Sequence, residues 1–523
     1  MKPRQSFYDV LVIGAGIGGL SCAISAAEKG LSVAVVSKET YLEESNTFHA
    51  QGGIVERGES DSPKLLYEDI CKAGAYLNNR KAVRFVAEKG PLFVREYLVD
   101  KAGVPFNRTP SGELAYTQEA AHSVRRILFA QDSTGKAIEI SLLSYARSLS
   151  GIEFVPSTMA VDILTNCHNS KDPQERYQPL QALGAYLLDI PTLQIYPLFA
   201  SHVVLATGGV GNLFLHTSNP KGATGDGIAM ALRVGCEVIN AEYVQFHPTI
   251  LFHRDKQRFL ITEALRGEGA RLLNRRGEPF MERYHPEMKD LAPRDEVSRA
   301  IFREMALEGG GYVLLDATAC RVDLKERFPM IFEVCANLGI DIRKDPIPVV
   351  PAAHYFCGGI KVDLEGRTNI KGLYAVGENA CNGIHGANRL ASISLLESLS
   401  FGIRCGNYIA AHPLPVKKRV LRTIPEWVYP KEQEEFDPIL ISNDLLSIQT
   451  LMWNYVGIIR TKKRLLRALS DLNYMNHRIE QFYKAARVTR ELLELRNAVF
   501  AGLSIARAAL RNEESIGCHY RED

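Results

Sequence analysis

The chain has 523 residues, 46% hydrophobic and 23% charged, with a formal net charge of +2. That length exceeds one core and implies two or three domains, and the near-neutral charge gives no argument for nucleic acid or an anionic membrane surface. No apolar run reaches the length of a membrane span, the N-terminus enters a strand with no room for a signal peptide, and ten cysteines without a C-x-x-C pair fit a reducing cytoplasm.

Asp9–Ile13 is a short aliphatic run of the kind found in parallel strands buried on both faces. Gly14, Ala15, Gly16, Ile17, Gly18 and Gly19 follow, then a helical stretch closing at Gly30, then a second strand over Leu31–Ser37. G-x-G-x-x-G between strand and helix predicts a dinucleotide site: Gly14 makes the turn, Gly16 admits a pyrophosphate and Gly19 lets the helix pack. A purely structural turn is the plain alternative. The second strand ends Ser37-Lys38-Glu39 without the usual ribose-binding acid. This makes NAD less secure than FAD and frees Lys38 to reach the diphosphate.

The stretch Glu44–Gly53 combines polar side chains with two glycines and suits a loop laid along a flavin. Its candidate contacts are Asn46, Thr47, Phe48, His49, Ala50, Gln51, Gly52 and Gly53. Residues 63–110 read as helices without chemistry. In Thr117–Arg126, Glu119 and His122 are spaced i, i+3 ahead of Arg125 and Arg126. A metal reading is poor because no further ligands lie nearby, and a solvated helix face is the ordinary explanation.

Residues 152–166 and 183–204 alternate like strands around a polar hairpin tip. His202–Gly209 is a buried strand re-entering the nucleotide sheet. Asp226 opens the next helix, where it would cap or bind a ribityl hydroxyl. From about Asn240 the chain leaves that sheet, and it is expected to resume after Ile347. Candidate sites in between hold His247, Thr262 and Arg294, and His354 lies at the junction. The domains expected are 1–238 with 348–414, 239–347, and 415–523. The last reads as a helical bundle whose arginines form a solvated face.

Asn379–Leu399 organises the whole. Gly377 and Glu378 close an apolar run, Gly383 and Gly386 bare the backbone, and Arg389 precedes a helix opening with small residues. A helix N-terminus attracts electron-rich groups, and an arginine fork suits a carboxylate. A flavin ring is expected to meet a dicarboxylate here.

The nucleotide unit, SNTFHAQGG, QFHPT, LITEALRGEGA, APRDEVSRAI, HYFCGG and HGANRLAS occur in an order that closely resembles the succinate dehydrogenase/fumarate reductase flavoprotein family. The resemblance covers nearly the whole chain. It implies an α/β fold: a Rossmann-like FAD-binding domain, an inserted α+β capping domain and a C-terminal helical bundle. Within the family the chain is most similar to the aspartate-oxidising branch. The covalent flavin-linking histidine of the dehydrogenases would fall at Asn46, with His49 out of register, so FAD is expected to be non-covalent. T-x-E-x-x-H-S-x-R-R resembles the loop whose glutamate, here Glu119, meets the substrate ammonium.

The same resemblance assigns Arg389, His247, His354 and Thr262 to the substrate carboxylates. It makes Arg294 the proton-transfer residue, flanked by Glu268 or Asp295, and an arginine pairing with Asp295 at a helix start is the plain alternative. It further implies Val161, Asp226 and Glu378 as flavin contacts, with the Ser394–Leu395 backbone at the pyrimidine end of the ring. The implied reaction takes a hydride from L-aspartate to FAD and releases iminoaspartate. O2, giving hydrogen peroxide, or fumarate, giving succinate, would reoxidise the flavin. Quinolinate synthase, consuming the imine in NAD biosynthesis, is the implied partner. A soluble fumarate reductase or succinate dehydrogenase flavoprotein is the alternative, and a flavin-binding protein without turnover is a third class. Two departures from the family pattern stand out. Ala120-Ala121 replace two glycines, which would stiffen or shift the Glu119 loop, and Ile393 replaces an asparagine, removing a polar contact.

Overall fold

The structure, a computed structural model, describes residues 5–119, 121–131, 133–253, 259–430 and 437–523. Ala120 lies outside them. Phe7–Ile13, Val33–Val36 and Ile152–Val155 are parallel neighbours in a seven-stranded sheet, with Val10 opposite Val33. The long strand Gln194–Leu205 changes partners along its length. Its first part runs antiparallel to Ala182–Asp189, and its last part runs parallel to Phe7–Ile13 and to Leu373–Ala375. Phe7–Ile13, Val33–Val36 and the last part of Gln194–Leu205 are buried nearly throughout, as their aliphatic runs require, while Ile152–Val155 at the sheet edge is mostly half-buried.

The expected return to this sheet after Ile347 is corrected. Ile347–Phe356 pairs antiparallel with Val244–Leu251 and with Val313–Asp316 in a separate four-stranded sheet completed by Arg271–Leu273. The nucleotide sheet resumes only at Leu373. Periodicity marks a strand but not its neighbour, so the sequence could not assign this one.

Helix Ile393–Ala411 packs along helix Ile17–Ala27. Gly402 and Gly406, one turn apart, allow the approach: a Cβ at either would come within 2.6 Å of Gly18 O or 2.1 Å of Ser25 Oγ. The glycine-rich turn and the Arg389 segment are thereby held on two helices in direct contact.

The C-terminal helices Pro438–Tyr455, Lys462–Ala485 and Arg490–Arg511 form the expected bundle. Their arginines are not simply a solvated face. Arg496 pairs with Asp162 (3.0 Å) and Glu480 (2.5 Å), Arg490 with Glu39 (2.5 Å), and Arg460 is fully buried on Glu242 O (2.8 Å). The Arg496–Asp162 and Arg490–Glu39 pairs fasten the bundle to the nucleotide sheet, Glu480 ties Arg496 within the bundle, and Glu242 lies just before Val244–Leu251 of the other sheet. All ten cysteines are free, and no helix among the described residues is long and apolar enough to cross a membrane.

Candidate active site

On the cofactor side, each glycine of the turn has its own reason. Gly14 has φ +116°, and a Cβ there would lie 2.1 Å from Ala206 O; a Cβ on Gly19 would lie 2.2 Å from Gly14 O. Gly16 differs. Its φ of −72° suits any residue, and the nearest atom to a Cβ would be Thr47 Oγ1 at 3.4 Å. Protein packing does not demand a glycine at that point, whereas a ligand lying against the backbone does. The helix it precedes has no side-chain cap and no acid in its first turn, and Ile17 N–H bonds Thr47 Oγ1 at 3.2 Å. This end of the fold suits a phosphate group.

Lys38 and Asp226 pair with each other at 2.7 Å, and Lys38 also pairs with Glu494 at 2.8 Å. Asp226 does not cap its helix. Gly225 holds the cap position, and the carboxylate takes bonds from Thr224 Oγ1 (2.9 Å) and Asn497 Nδ2 (2.9 Å). In the Glu44–Gly53 loop, His49 is exposed on Glu44 at 2.8 Å, while Asn46 reaches inward. Phe48 and Ala50 are half-buried, Gln51 likewise, Gly52 is exposed and Gly53 buried. Gly53 must be glycine, because a Cβ would meet Leu128 O at 2.3 Å. Val161 is fully buried within the strand Thr158–Thr165.

Glu378 accepts from Asn46 Nδ2 (2.8 Å) and Phe356 N–H (3.0 Å), and a Cβ on Gly209 would come 2.1 Å from its Oε1. Burial pushes this carboxyl up to about 7 in spite of those donors. With the folded-state value raised, its stabilisation is complete below the unfolded value of 4.5 and is lost as pH rises through about 7. Glu378→Gln removes that loss. Urea titrations of ligand-free protein at pH 5 and pH 8 are expected to show the variant's pH-dependent fall reduced by about 3 kcal/mol. Glu397, also raised to about 7 by burial, keeps its own share of the slope.

On the substrate side, four sequence-predicted residues converge. His247 is 1% exposed on Val244–Leu251, and His354 stands on the adjacent strand with ring centroids 5.5 Å apart. Burial holds both imidazoles well below their usual range. Arg294 and His354 add to the effect at His247, and Arg389 and Arg294 at His354. Both rings are therefore neutral at pH 7. Arg389 lies over the Tyr355 ring at 4.5 Å, donates to Gln245 Oε1 (2.9 Å) and approaches Ser394 Oγ (3.3 Å). Leu395 is buried. Ser392 has φ +54° at the cap of the long helix, which carries no side-chain cap bond and no acid in its first turn.

Arg294 opens its helix and donates from Nε to Glu263 Oε2 at 2.7 Å. The expected flanking acids are elsewhere: Glu268 pairs with Arg327 (3.3 Å) and Asp295 with Arg299 (2.9 Å). Burial opposes the charge on Arg294, but Glu263 outweighs it and raises the guanidinium above its ordinary value. Thr262 caps the short helix bearing Glu263, its hydroxyl accepting from Ala264 N–H at 3.4 Å.

The Glu119 segment is not a solvated helix face. It is a loop beyond Tyr116–Thr117 with its base sealed. Arg126 is 0% exposed on Asp61 (3.3 Å) and Asp69 (2.9 Å), Ser123 bonds Asp69 through N–H and hydroxyl, and His122 Nε2 meets Ala391 O at 3.0 Å. Glu119 itself accepts from Ser392 Oγ at 2.7 Å and lies close enough to Arg294 to raise it. An anion is thus anchored to the segment that carries Arg389. Ala121 sits at φ +66°, a conformation costly for alanine. Ala121→Gly is expected to raise stability by about 1 kcal/mol, read as a higher thermal midpoint. Ile393 is fully buried in the apolar core, so its place in the sequence serves packing.

Residues 9–395 match the model of the FAD binding domain, and residues 446–523 that of the fumarate reductase flavoprotein C-terminus. The L-aspartate oxidase 1 of Ralstonia nicotianae is 42% identical over 520 residues, covering 99% of this chain and 95% of that protein. The L-aspartate oxidase of Halobacterium salinarum is 39% identical, covering 98% and 96%. The chain belongs to the L-aspartate oxidase family. Among solved structures, a quinol–fumarate reductase with menaquinol superposes with a TM-score of 0.86 at 28% identity, covering 99% of this chain and 92% of the other. Sdh1 of Mycobacterium smegmatis superposes with 0.83 at 31%, covering 99% and 89%. The L-aspartate oxidase family is thus a branch of the succinate dehydrogenase/fumarate reductase flavoproteins, as the motif order implied. Its cofactor is FAD, held without a covalent bond.

Three residues of the site escaped sequence reading as individuals: Glu263, Gln245 and Ser218. Glu263 and Gln245 stood inside quoted motifs, two residues or fewer from chosen ones. Ser218 carried no local signal, because its partner His354 is 136 residues away.

Proposed function

We propose that the protein oxidises L-aspartate to iminoaspartate, the first step of NAD biosynthesis from aspartate. Glu119 carries this reading: a carboxylate hydrogen-bonded to Ser392 and in the field of Arg294 supplies the partner that an ammonium needs and succinate lacks. Arg389 and the two neutral histidines offer N–H donors for the two carboxylates, and Thr262 caps the helix whose Glu263 holds Arg294. Bound FAD supplies the two-electron acceptor for the hydride leaving the substrate. Gly14–Gly19, Lys38, the 46–53 loop, Val161, Asp226, Glu378 and the Ser394–Leu395 backbone would hold it. Oxidation also frees a proton: Arg294, charged and tied to Glu263, would take it up as its own Nε proton passes to that carboxylate, and would return it by the same route when fumarate is reduced.

Reoxidation by O2, yielding hydrogen peroxide, or by fumarate, yielding succinate, belongs to the same proposal, as does a quinolinate synthase that takes up the unstable imine. So does a division into a FAD-binding unit, a capping unit that includes the strand Ile347–Phe356 beside Val244–Leu251 and Val313–Asp316, and a helical unit (415–523). The fold's likeness to a quinol–fumarate reductase favours a second reading, a fumarate reductase or succinate dehydrogenase flavoprotein. Anaerobic mixing of the yellow holoenzyme with L-aspartate and, separately, succinate decides between them. Bleaching by aspartate alone is expected; bleaching by succinate alone would move the chain to the second reading.

A further inference from the structure

Two neutral imidazoles face a site that is expected to receive two carboxylates. A neutral imidazole has one N–H, so it serves a carboxylate only if that proton sits on the nitrogen facing the ligand. The other nitrogen decides which one it is.

At His247 the backbone decides. Thr249 N–H donates to Nδ1 at 3.2 Å, so Nδ1 carries the lone pair and Nε2 the proton. At His354 no backbone group among the described residues does this. Its Nδ1 lies 2.8 Å from Ser218 Oγ, a contact that either atom can donate. The surroundings of Ser218 settle the direction. The neighbouring acceptor is Ala353 O, which has two lone pairs. They are filled by Ser218 N–H at 3.0 Å and Thr217 Oγ1 at 2.9 Å. The Ser218 hydroxyl lies 3.4 Å from that oxygen, at the edge of bonding distance, against 2.8 Å to the ring. The hydroxyl proton therefore goes to Nδ1.

We infer that Ser218 is a positioning residue for substrate binding: its hydroxyl donates to His354 Nδ1 and so fixes the ring as the Nε2–H tautomer, a donor to a dicarboxylate. The pair then matches His247, where a backbone amide does the same work. Ser218 touches no reacting atom and acts only through His354. Asn219, next in the chain, holds the strand in place by donating to His354 O at 3.0 Å and to Asn46 Oδ1 at 3.1 Å. The ring and the 46–53 loop thus share one support. A hydroxyl at 218 is what matters, so threonine should serve and alanine should not.

The inference rests on the dicarboxylate part of the proposed function and not on aspartate itself. It is tested on the FAD-loaded protein labelled with 15N-histidine. The His354 signals are assigned by their loss in His354→Gln. Wild type and Ser218→Thr are expected to show an unprotonated Nδ1 and a protonated Nε2, and Ser218→Ala a mixture of tautomers. Calorimetric titration with malonate, a dicarboxylate that cannot be oxidised in this way, is expected to give a Kd about tenfold higher for Ser218→Ala and within about twofold of wild type for Ser218→Thr. A wild-type proton on Nδ1, an unchanged tautomer in Ser218→Ala, or unchanged malonate affinity in Ser218→Ala would each overturn the assignment. Should Ser218→Ala not fold, the wild-type tautomer and the Ser218→Thr affinity still decide. Failure of aspartate to bleach the wild-type flavin, with these results intact, would sink the aspartate reading and leave Ser218 its role.

Discussion

Arg294→Lys is expected to slow anaerobic flavin bleaching by substrate about a thousandfold, with malonate affinity changed far less. The geometry explains why so conservative a change should matter. Arg294 spends Nε on Glu263 at 2.7 Å and keeps the rest of a planar fork for the site. A lysine ammonium is a single point on a flexible stem and cannot hold the carboxylate and the substrate at fixed angles together. The guanidinium is raised above its already high value, so no step in the pH profile near neutrality belongs to it. Glu263, which Arg294 and Arg266 hold below its usual value against the effect of burial, is the group that exchanges the proton. Glu263→Gln should therefore cost nearly as much, and the double variant little more than either single one, because the two act as one unit. Stopped-flow bleaching checks all three. Wild-type rates in Arg294→Lys would remove Arg294 from the chemistry.

Glu119→Gln is expected to lower kcat/KM for aspartate by on the order of 30-fold, the value of a hydrogen bond to a charged partner. Fumarate reduction by the dithionite-reduced enzyme should stay within about threefold of wild type. Glutamine keeps the length, and its amide oxygen can still accept from Ser392, so the loop has no reason to move. What disappears is the negative charge opposite the ammonium. Equal losses with aspartate and fumarate would mean that the residue supports the loop and does not recognise the amine.

Each of these residues depends on partners far away in the chain. Glu119 meets Ser392 across 273 positions, Arg389 meets Gln245 across 144, and Arg294 meets Glu263 across 31. Sequence reading named Arg294 as a candidate flanked by Glu268 or Asp295, whereas the fold supplies Glu263. In a helix starting at Arg294, Asp295 points away to Arg299, one turn on. For the Thr117–Arg126 segment a solvated face was the ordinary alternative to the role given Glu119 by resemblance, and only the fold shows Asp61 and Asp69 closing over Arg126.

The sequence by itself determined the βαβ turn with its three differently employed glycines, the helical C-terminal fifth and the order of motifs that resembles the family. The first two rest on local spacing, with glycines fixed by turn geometry and apolar periods of two or 3.6, and the last on resemblance to a known family. Tertiary structure decided which sheet owns Ile347–Phe356, which acid serves Arg294, and which hydroxyl orients His354. Strand pairing, ion pairing and the tautomer of a buried ring depend on groups brought together only when the apolar faces close. Local sequence carries no record of that encounter.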